Sequence, residues 1–250
     1  MDKKSQDQIL LILQRCINNS IKRLKKDKTF RPFHEALLTK ELITASAFER
    51  SFSTSFGQGP IEEISKILAE TTGAICERQK ETMVNINKGA VEEIERITSS
   101  LRNGTSQPNW KKEVSVVTAF QRGDFLVRRV ISDLWFKRDN IETFISIKTV
   151  KPNIDQSEIV KKDMLLLKAH NINFETFFGL YYNPGGDKRT DYNWSMPSRI
   201  FDMKHDECIL IGKEYWDHIG GKGTYIALLK LFEIVGEKTR KQLKDLTSQL

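Results

Sequence analysis

The sequence predicts an α/β (α+β) protein, with a mixed central β-sheet flanked by helices and a helical N-terminal extension. Two patterns support this fold class. Apolar residues recur at helical spacing through much of the first hundred residues, whereas the later part contains short β-branched and aromatic runs bounded by turn residues. The 250 residues are 39% hydrophobic and 29% charged, a composition that can bury a core and that excludes a disordered chain.

Residues 1–50 are predicted to form a helical N-terminal region. Apolar residues recur at helical spacing over residues 5–28, and a second helical stretch runs from about residue 35 to residue 50. Residues 1–40 contain ten Lys or Arg and four Asp or Glu, so most of the net charge of +7 lies here. These cations either contact the phosphates of a polyanionic partner or form a solvated helix end that complements the helix dipole.

Residues 51–250 are predicted to form the main domain. A polar loop over residues 51–60 leads into a helix over residues 60–79, on which Glu62 lies beside a small, mixed stripe. Glu62 is therefore the acid best placed for the rim of a core or a site. The helix dipole alone would also favour an acid in this first turn. Residues 80–103 are expected to continue as helix and polar connection.

Residues 103–109 are the clearest linker in the chain, and strands are expected beyond it. The predicted strands cover residues 113–119, 123–136, 144–150, 174–182 and 209–212. A helix with Asp155 as its N-cap and Glu158 in a capping box is expected to run to about residue 169. A glycine loop over residues 215–224 and a last helix over residues 225–235 precede a charged tail.

The most informative stretch is a predicted hairpin between residues 130 and 153, with a polar turn over residues 137–140. Alternate side chains of a strand share a face, so Ser146 and Lys148 point the same way, and Asp133 lies on the neighbouring strand. A carboxylate and a lysine on adjacent strands can hold a divalent cation and a water beside a phosphate. The alternative is an exposed cross-strand ion pair, which contributes little to stability.

Other kinds of site lack their sequence patterns. The three cysteines are far apart and form no CxxC pair, and the four histidines have no metal-ligand spacing, which argues against a zinc site or a disulfide framework. The glycine run at residues 220–224 lacks the spacing of a P-loop. No apolar stretch approaches the roughly 20 residues of a membrane span, and no signal peptide is recognisable, so a cytoplasmic protein is expected.

The hairpin resembles the metal site of the PD-(D/E)XK nuclease superfamily, and specifically that of type II restriction endonucleases. Ser132-Asp133 stands for the PD step and Ser146-Ile147-Lys148 for the (D/E)xK triplet. Two further runs extend the resemblance over most of residues 110–235, namely Thr149–Asn153 and Ile211–Trp216. The resemblance implies a restriction-endonuclease-like fold. Residues 51–69 also look like the entry helix of such enzymes, which places an accessory acid at Glu62.

Ser146 departs from the family pattern because it occupies the acidic position of the triplet. Some restriction enzymes with a Ser-x-Lys triplet supply the missing acid from the following helix. Here that helix offers Glu158 and Asp163, and Glu158 is preferred because Asp163 lies beside an apolar stripe, where an unpaired charge is expensive. Glu158 could equally serve only as a capping-box acid. If neither acid reaches the metal, the enzyme is inactive or depends on Glu62.

The resemblance implies Mg²⁺-dependent, sequence-specific hydrolysis of double-stranded DNA that leaves 5′-phosphate ends, at a short palindromic site. Asp133 and Glu158 would ligate Mg²⁺, while Lys148 would orient and help to deprotonate the attacking water. Ser146 would hydrogen-bond a ligand water, and Glu62 would hold a second ion or an outer-shell water.

Partners follow from the same resemblance. A palindromic site is normally met by a two-fold dimer, so a homodimer is expected. Residues 1–50 would contact the DNA backbone or the second subunit, and a cognate DNA methyltransferase is expected in the same system. Two rival functions remain open, a non-catalytic DNA-binding protein on a nuclease fold and a DNA repair or recombination nuclease.

Residues 183–199 are predicted to be the DNA recognition loop, because they are polar, basic and interleaved with aromatic residues. Side chains of Asn, Lys and Arg can pair with base edges in the major groove. The predicted DNA contacts are Lys151, Asn183, Lys188, Arg189, Tyr192, Asn193 and Arg199. The alternative is an ordinary long surface loop, although loops of this length are often functional.

Overall fold

The computed structural model describes residues 1–57, 59–120 and 122–247. The described strands are β1 (Ile75–Asn87), β2 (Phe125–Arg138), β3 (Ile141–Lys148), β4 (Glu175–Leu180) and β5 (Ile209–Ile211). The described helices are α1 (Lys3–Lys26), α2 (Pro32–Leu37), α3 (Lys40–Gly57), α4 (Pro60–Glu70), α5 (Lys88–Arg102), α6 (Trp110–Ala119), α7 (Ile154–His170), α8 (Lys213–Gly220) and α9 (Thr224–Thr247). None of the described helices is long and apolar enough to cross a membrane.

The strands form one mixed sheet in the order β1-β2-β3-β4-β5. The first three strands pair antiparallel, while β3, β4 and β5 pair parallel. The predicted hairpin is β2–β3, and it closes at Asp139 and Asn140, whose φ angles of 49° and 62° fit a two-residue turn that follows the twist of the strands. The predicted fold class, a mixed sheet flanked by helices, is confirmed.

The strand alternation divides the core into layers. Leu134 and Ile145 face a cluster that also contains residues of α1, α4, α8 and α9. Their neighbours Trp135 and Phe144 face the opposite side, where they pack with Leu167 of α7. The side chains of β2 and β3 are thus fixed from both faces, because the core on each side is close-packed.

Helix α1 matches the predicted N-terminal helix and buries one apolar stripe, which includes Ile9 and Leu13. This stripe belongs to the same core cluster as the sheet residue Leu134. Helix α3 runs without a break across residue 50, where the sequence placed a boundary. The division of the chain at residue 50 stays a prediction.

Several local predictions were wrong. Residues 75–87 form strand β1 rather than helix, because they pair along their length with β2, and Val84 and Ile86 are buried at alternate positions. Residues 113–119 belong to helix α6 rather than a strand, since the Asn109 side chain accepts the Lys112 backbone N–H as an N-cap. Two predicted loops are partly helical, since residues 51–57 belong to α3 and residues 215–220 belong to α8.

Candidate active site

Asp133 lies where strands β2 and β3 separate. The ladder between them ends at the pair Leu134 and Ile145. Beyond that pair, the two described strands form no further backbone ladder. The Ile147 N–H instead donates to the Asp133 carboxylate, at 2.7 Å from Oδ2. The Lys148 Nζ atom lies 2.9 Å from the same oxygen. The structure therefore brings the predicted Asp133–Lys148 pair together.

This ion pair is partly shielded from solvent. The exposed fractions of the side chains are 19% for Asp133 and 26% for Lys148. Partly buried charges are screened less than fully exposed ones. The pair therefore differs from the exposed cross-strand ion pair that was the alternative interpretation of the sequence.

Glu62, in the first turn of α4, reaches the same place. The Gln79 amide Nε2 donates to Glu62 Oε1 at 3.0 Å and to Asp133 Oδ1 at 3.2 Å. Arg78 Nε lies 3.3 Å from the other oxygen of Glu62. Two predicted site acids thus share one amide group. The cluster formed by Glu62, Gln79, Asp133 and Lys148 is called the carboxylate cluster below.

Tyr215 supports the carboxylate cluster from within the core. Its side chain is fully buried, and its hydroxyl lies 2.7 Å from the Ser65 hydroxyl, on the same helix as Glu62. The ring packs against Gly179, where a Cβ atom would approach a ring carbon to 2.7 Å. Burial raises the pKa of Tyr215, and the charges of Asp133 and Glu62 raise it further, so the hydroxyl stays protonated.

Glu158, predicted as the missing acid, points to other partners. Its carboxylate forms ion pairs with Arg102 Nη1 at 2.6 Å and Lys162 Nζ at 3.2 Å. Burial raises its pKa, but the hydrogen bonds from these two cations prevail and hold the pKa below its usual value. The structure therefore places Glu158 in a separate ionic cluster on α7 and α5.

The predicted capping box around Glu158 is also wrong. The N-cap of α7 is Asn153, whose side chain accepts the Gln156 N–H at 2.8 Å, while the Gln156 side chain accepts the Asn153 N–H at 3.1 Å. This reciprocal pair satisfies two backbone donors at the helix start. Asp155 instead lies in the first turn and pairs with Arg102 at 2.7 Å.

Asp163 is the acid of α7 whose pKa depends on the charges of the carboxylate cluster. Burial raises the pKa of Asp163 to about 6, the positive charge of Lys148 lowers it, and the negative charge of Asp133 raises it. A half-buried carboxyl with such neighbours is a typical member of a functional site. The sequence predicts that Asp163 lies beside an apolar stripe. In the structure this acid is partly buried, and the burial raises its pKa.

The carboxylate cluster offers oxygen donors of the kind that bind a metal ion. Among the described residues, no three His, Cys, Asp or Glu side chains lie close enough together to hold a metal by themselves. Glu62 and Asp133, however, present carboxylate oxygens to one shared amide. Mg²⁺ usually binds through one or two carboxylates and fills its remaining positions with water and substrate phosphate oxygens. The donor set therefore fits such a cation.

Ser146 lies beside the cluster on β3. It is buried, with an exposed fraction of 7%, and it pairs with Phe178 of β4. Its two neighbours Ile145 and Ile147 belong to the core cluster on the opposite face of the sheet. The predicted alternation along this strand is thus observed.

The predicted recognition loop contains both structural and exposed residues. Tyr192, expected to face DNA, is instead buried, and its hydroxyl donates to the Val150 carbonyl at 3.1 Å. Arg189 is held by Glu214 at 2.8 Å and by the Asp206 carbonyl at 2.8 Å. The Asn183 side chain braces the turn by donating to the Lys188 carbonyl and accepting the Gly185 N–H. The predicted contacts that remain exposed are Lys151, Lys188, Asn193 and Arg199.

The positions of Gln79 and Arg78 do not follow from the sequence. Its pattern predicts that both lie at the end of a helix, whereas strand β1 places them opposite the segment of β2 that contains Asp133. The only available signal was the polar composition of residues 77–81, which is unusual for a buried helix. Ser65 and Tyr215 lie in two segments that carry the family resemblance, residues 51–69 and 211–216. Nothing in the sequence indicates that their side chains contact each other.

The comparisons with known proteins agree with one another. A family model described as "Type II restriction endonuclease, HinfI" matches residues 1–236. The type II restriction enzyme HgiBI of Herpetosiphon aurantiacus is 26% identical over 221 residues, which cover 85% of this chain and 80% of the relative. HgiEI of the same organism is 26% identical over 228 residues, covering 88% and 82%. MjaII of Methanocaldococcus jannaschii is 24% identical over 225 residues, covering 82% and 58%.

Two acids of α7, Asp163 and Glu158, are expected to affect stability with opposite signs. Asp163→Asn should raise the free energy of unfolding at pH 7.5 by about 1–2 kcal/mol, because the raised pKa makes the buried charge unfavourable. The folded protein binds this proton below about pH 6, and the unfolded chain binds it only near pH 4. The difference from wild type should therefore vanish as the pH falls through this window. Urea unfolding in EDTA between pH 4 and pH 8 measures it.

Glu158→Gln provides the matched control on the same helix. Because the pKa of Glu158 is lowered in the folded state, its charge stabilises the protein above the usual pKa of a glutamate. The variant should lose about 0.5–1 kcal/mol at pH 7.5, and the loss should disappear on acidification. An Asp163→Asn variant less stable than wild type at pH 7.5 would contradict the assignment of the raised pKa.

Proposed function

The chain belongs to the HinfI family of type II restriction endonucleases, and from this premise we propose that the carboxylate cluster is where it cleaves double-stranded DNA with the help of Mg²⁺. The family makes the protein a site-specific deoxyribonuclease. Metal chemistry, a palindromic target and 5′-phosphate products are parts of the proposal. The observation that carries it is the convergence of Asp133, Lys148 and Glu62 where β2 and β3 separate.

Glu62 and Asp133 are the residues that would hold the metal. Carboxylate oxygens are the donors that a hard cation prefers, and these two already face one shared polar group. A bound Mg²⁺ would act as a Lewis acid on the scissile phosphate and lower the pKa of an attached water. Asp163 rather than Glu158 is proposed as the additional acid, because the charges of Lys148 and Asp133 act on Asp163, whereas the partners of Glu158 are Arg102 and Lys162, outside the carboxylate cluster.

Lys148 is proposed to orient the attacking water and to stabilise the charge that develops on the phosphate. Its ammonium group has three donors, of which one is directed to Asp133 Oδ2 at 2.9 Å. A preorganised cation in a partly shielded site is worth more than one in open water. Ser146, the neighbour of Lys148 on the same strand face, is proposed to hydrogen-bond a water in this site.

Lys148→Ala and Asp133→Ala are expected to lower the rate of DNA cleavage by at least about 100-fold, because each removes a charge that acts on the reacting phosphate. Glu158→Gln should retain cleavage close to wild type, while Asp163→Asn should reduce it. Plasmid digestion in Mg²⁺ with purified protein measures these rates, and discrete bands are expected rather than a smear. Undiminished cutting by Asp133→Ala would rule out this site.

The exposed part of residues 183–199 is proposed to read the bases. The loop follows β4, and the parallel pairing of Lys148 with Leu180 brings the ends of β3 and β4 to the same edge of the sheet. Trp194 Nε1 donates to the Pro152 carbonyl at 2.9 Å, so the loop also packs on the segment that follows Lys148. Amide side chains such as Asn193 can form paired hydrogen bonds with adenine.

Asn193→Ala is expected to keep the wild-type melting temperature but to lose about 1–3 kcal/mol of discrimination at one base position. Arg189→Ala is the matched control within the loop, because its ion pair with Glu214 predicts a loss of stability instead. Thermal unfolding and sequencing of the cut ends separate the two effects. Unchanged target selection by Asn193→Ala would remove this residue from the recognition surface.

We further propose that the enzyme acts as a homodimer and that α2 contributes to the dimer interface. Phe30, Phe33, Leu37 and Leu42 have exposed fractions between 58% and 84%, and α2 has no buried residue. Several large exposed apolar side chains within residues 30–42 are of the kind that marks an interaction site. A two-fold dimer, which suits a palindromic target, would place the same surface of a second copy against it. The proposed system also includes a cognate DNA methyltransferase.

Phe33→Ser combined with Leu37→Ser is expected to convert the dimer into a monomer, since it removes two large apolar side chains from this surface. Sedimentation equilibrium measures the association state. Ile172→Ser is the control, because Ile172 is an exposed apolar residue, 53% accessible, far along the chain from α2. A double variant that associates as tightly as wild type would place the interface elsewhere.

A further inference from the structure

Gln79 has a backbone conformation that is uncommon for its residue type. Its φ angle is 51°, in the left-handed region, although it lies within strand β1. The ladder pairs on either side are Arg78 with Leu134 and Lys80 with Ser132, so Gln79 lies across from Asp133. Left-handed residues other than glycine are disfavoured and are concentrated at functional sites.

The side chain of Gln79 joins two acids of different elements. Its Nε2 atom donates to Glu62 Oε1 of α4 at 3.0 Å and to Asp133 Oδ1 of β2 at 3.2 Å. Ionised carboxylates only accept hydrogen bonds, and an amide NH₂ group carries two donors, so one group can serve both acids. Each acid also has its own cation, Arg78 for Glu62 and Lys148 for Asp133, so the contribution of Gln79 is to bring the two acids together rather than to neutralise them.

We propose that Gln79 is a positioning residue that holds Glu62 and Asp133 side by side as a preformed cation site. This inference rests on the proposed function, in which these two carboxylates bind the metal. A neutral amide suits the role because it orients both acids without adding a negative charge. The left-handed backbone of Gln79 follows from the same requirement, since it turns the side chain toward Asp133 on the adjacent strand.

The test uses Mn²⁺ alone as the probe and the thermal stability of the full-length protein as the readout, so that no cleavage is required. Gln79→Gly is the main variant, because glycine accepts a positive φ and removes only the side chain. It should melt close to wild type without metal but need about 10- to 100-fold more Mn²⁺ for half of the maximal stabilisation, as expected when a supporting contact to a ligand is lost.

Gln79→Glu is the complementary variant. It places a third carboxylate beside Glu62 and Asp133, so it should melt below wild type without metal because like charges repel. It should gain more stability from saturating Mn²⁺ than wild type does. In a role limited to the strand backbone, Gln79→Gly would show the Mn²⁺ midpoint of wild type, and that result would overturn the inference.

Asp133→Asn separates failure of this inference from failure of the proposed metal site. A Mn²⁺ stabilisation of wild type that is lost in Asp133→Asn locates the cation at the carboxylate cluster, and the Gln79 variants then decide the present inference alone. A wild-type protein that Mn²⁺ does not stabilise at all would overturn the metal site and this role of Gln79 together.

Discussion

The hydrogen bond from the Ile147 N–H to the Asp133 carboxylate is the interaction on which the site depends. A backbone N–H inside a protein needs a partner, and the ladder between β2 and β3 ends two residues earlier along β3. Asp133 supplies that partner and is thereby fixed where the strands separate. Lys148, the next residue of β3, then finds the same carboxylate within 2.9 Å. Asp133 thus satisfies the backbone N–H at the strand separation and also belongs to the carboxylate cluster.

A buried ion pair joins the helix that faces this strand separation to its neighbour. Lys161 of α7 is fully buried, pairs with Glu113 of α6 and lies 4.2 Å from the ring centroid of Phe201. Each charge of such a pair depends on the other, because removing one partner would leave an uncompensated charge in the core. Asp163 follows Lys161 by two residues on α7, so the partly buried acid lies on a helix that is packed against both α6 and the sheet.

The hairpin could be predicted from the sequence because its signals are local, namely alternation in β2 and β3 and turn residues between them. Strand β1 could not, since its polar residues 77–81 form a strand only through pairing with β2. The preference for Glu158 over Asp163 rested on a similar average, and the structure gives Glu158 other partners, Arg102 and Lys162. The sequence argument assumed that a charge beside an apolar stripe would be avoided, whereas Asp163 is retained there with a raised pKa. A sequence pattern reflects the average free-energy cost of placing a residue type in a given environment. Functional sites are where individual residues depart from that average.

The topology also joins the carboxylate cluster to the loop that is proposed to read the bases. Because β3 and β4 are parallel neighbours, the segment after Lys148 and the loop after Leu180 leave the sheet at one edge. Two hydrogen bonds then tie the loop to that segment, from Tyr192 to the Val150 carbonyl and from Trp194 to the Pro152 carbonyl. Tyr192, which is buried, and Trp194, which is partly buried, thus anchor the loop, while the polar residues proposed to read the bases are exposed. A movement of the loop would therefore act on the backbone at Val150, two residues after Lys148.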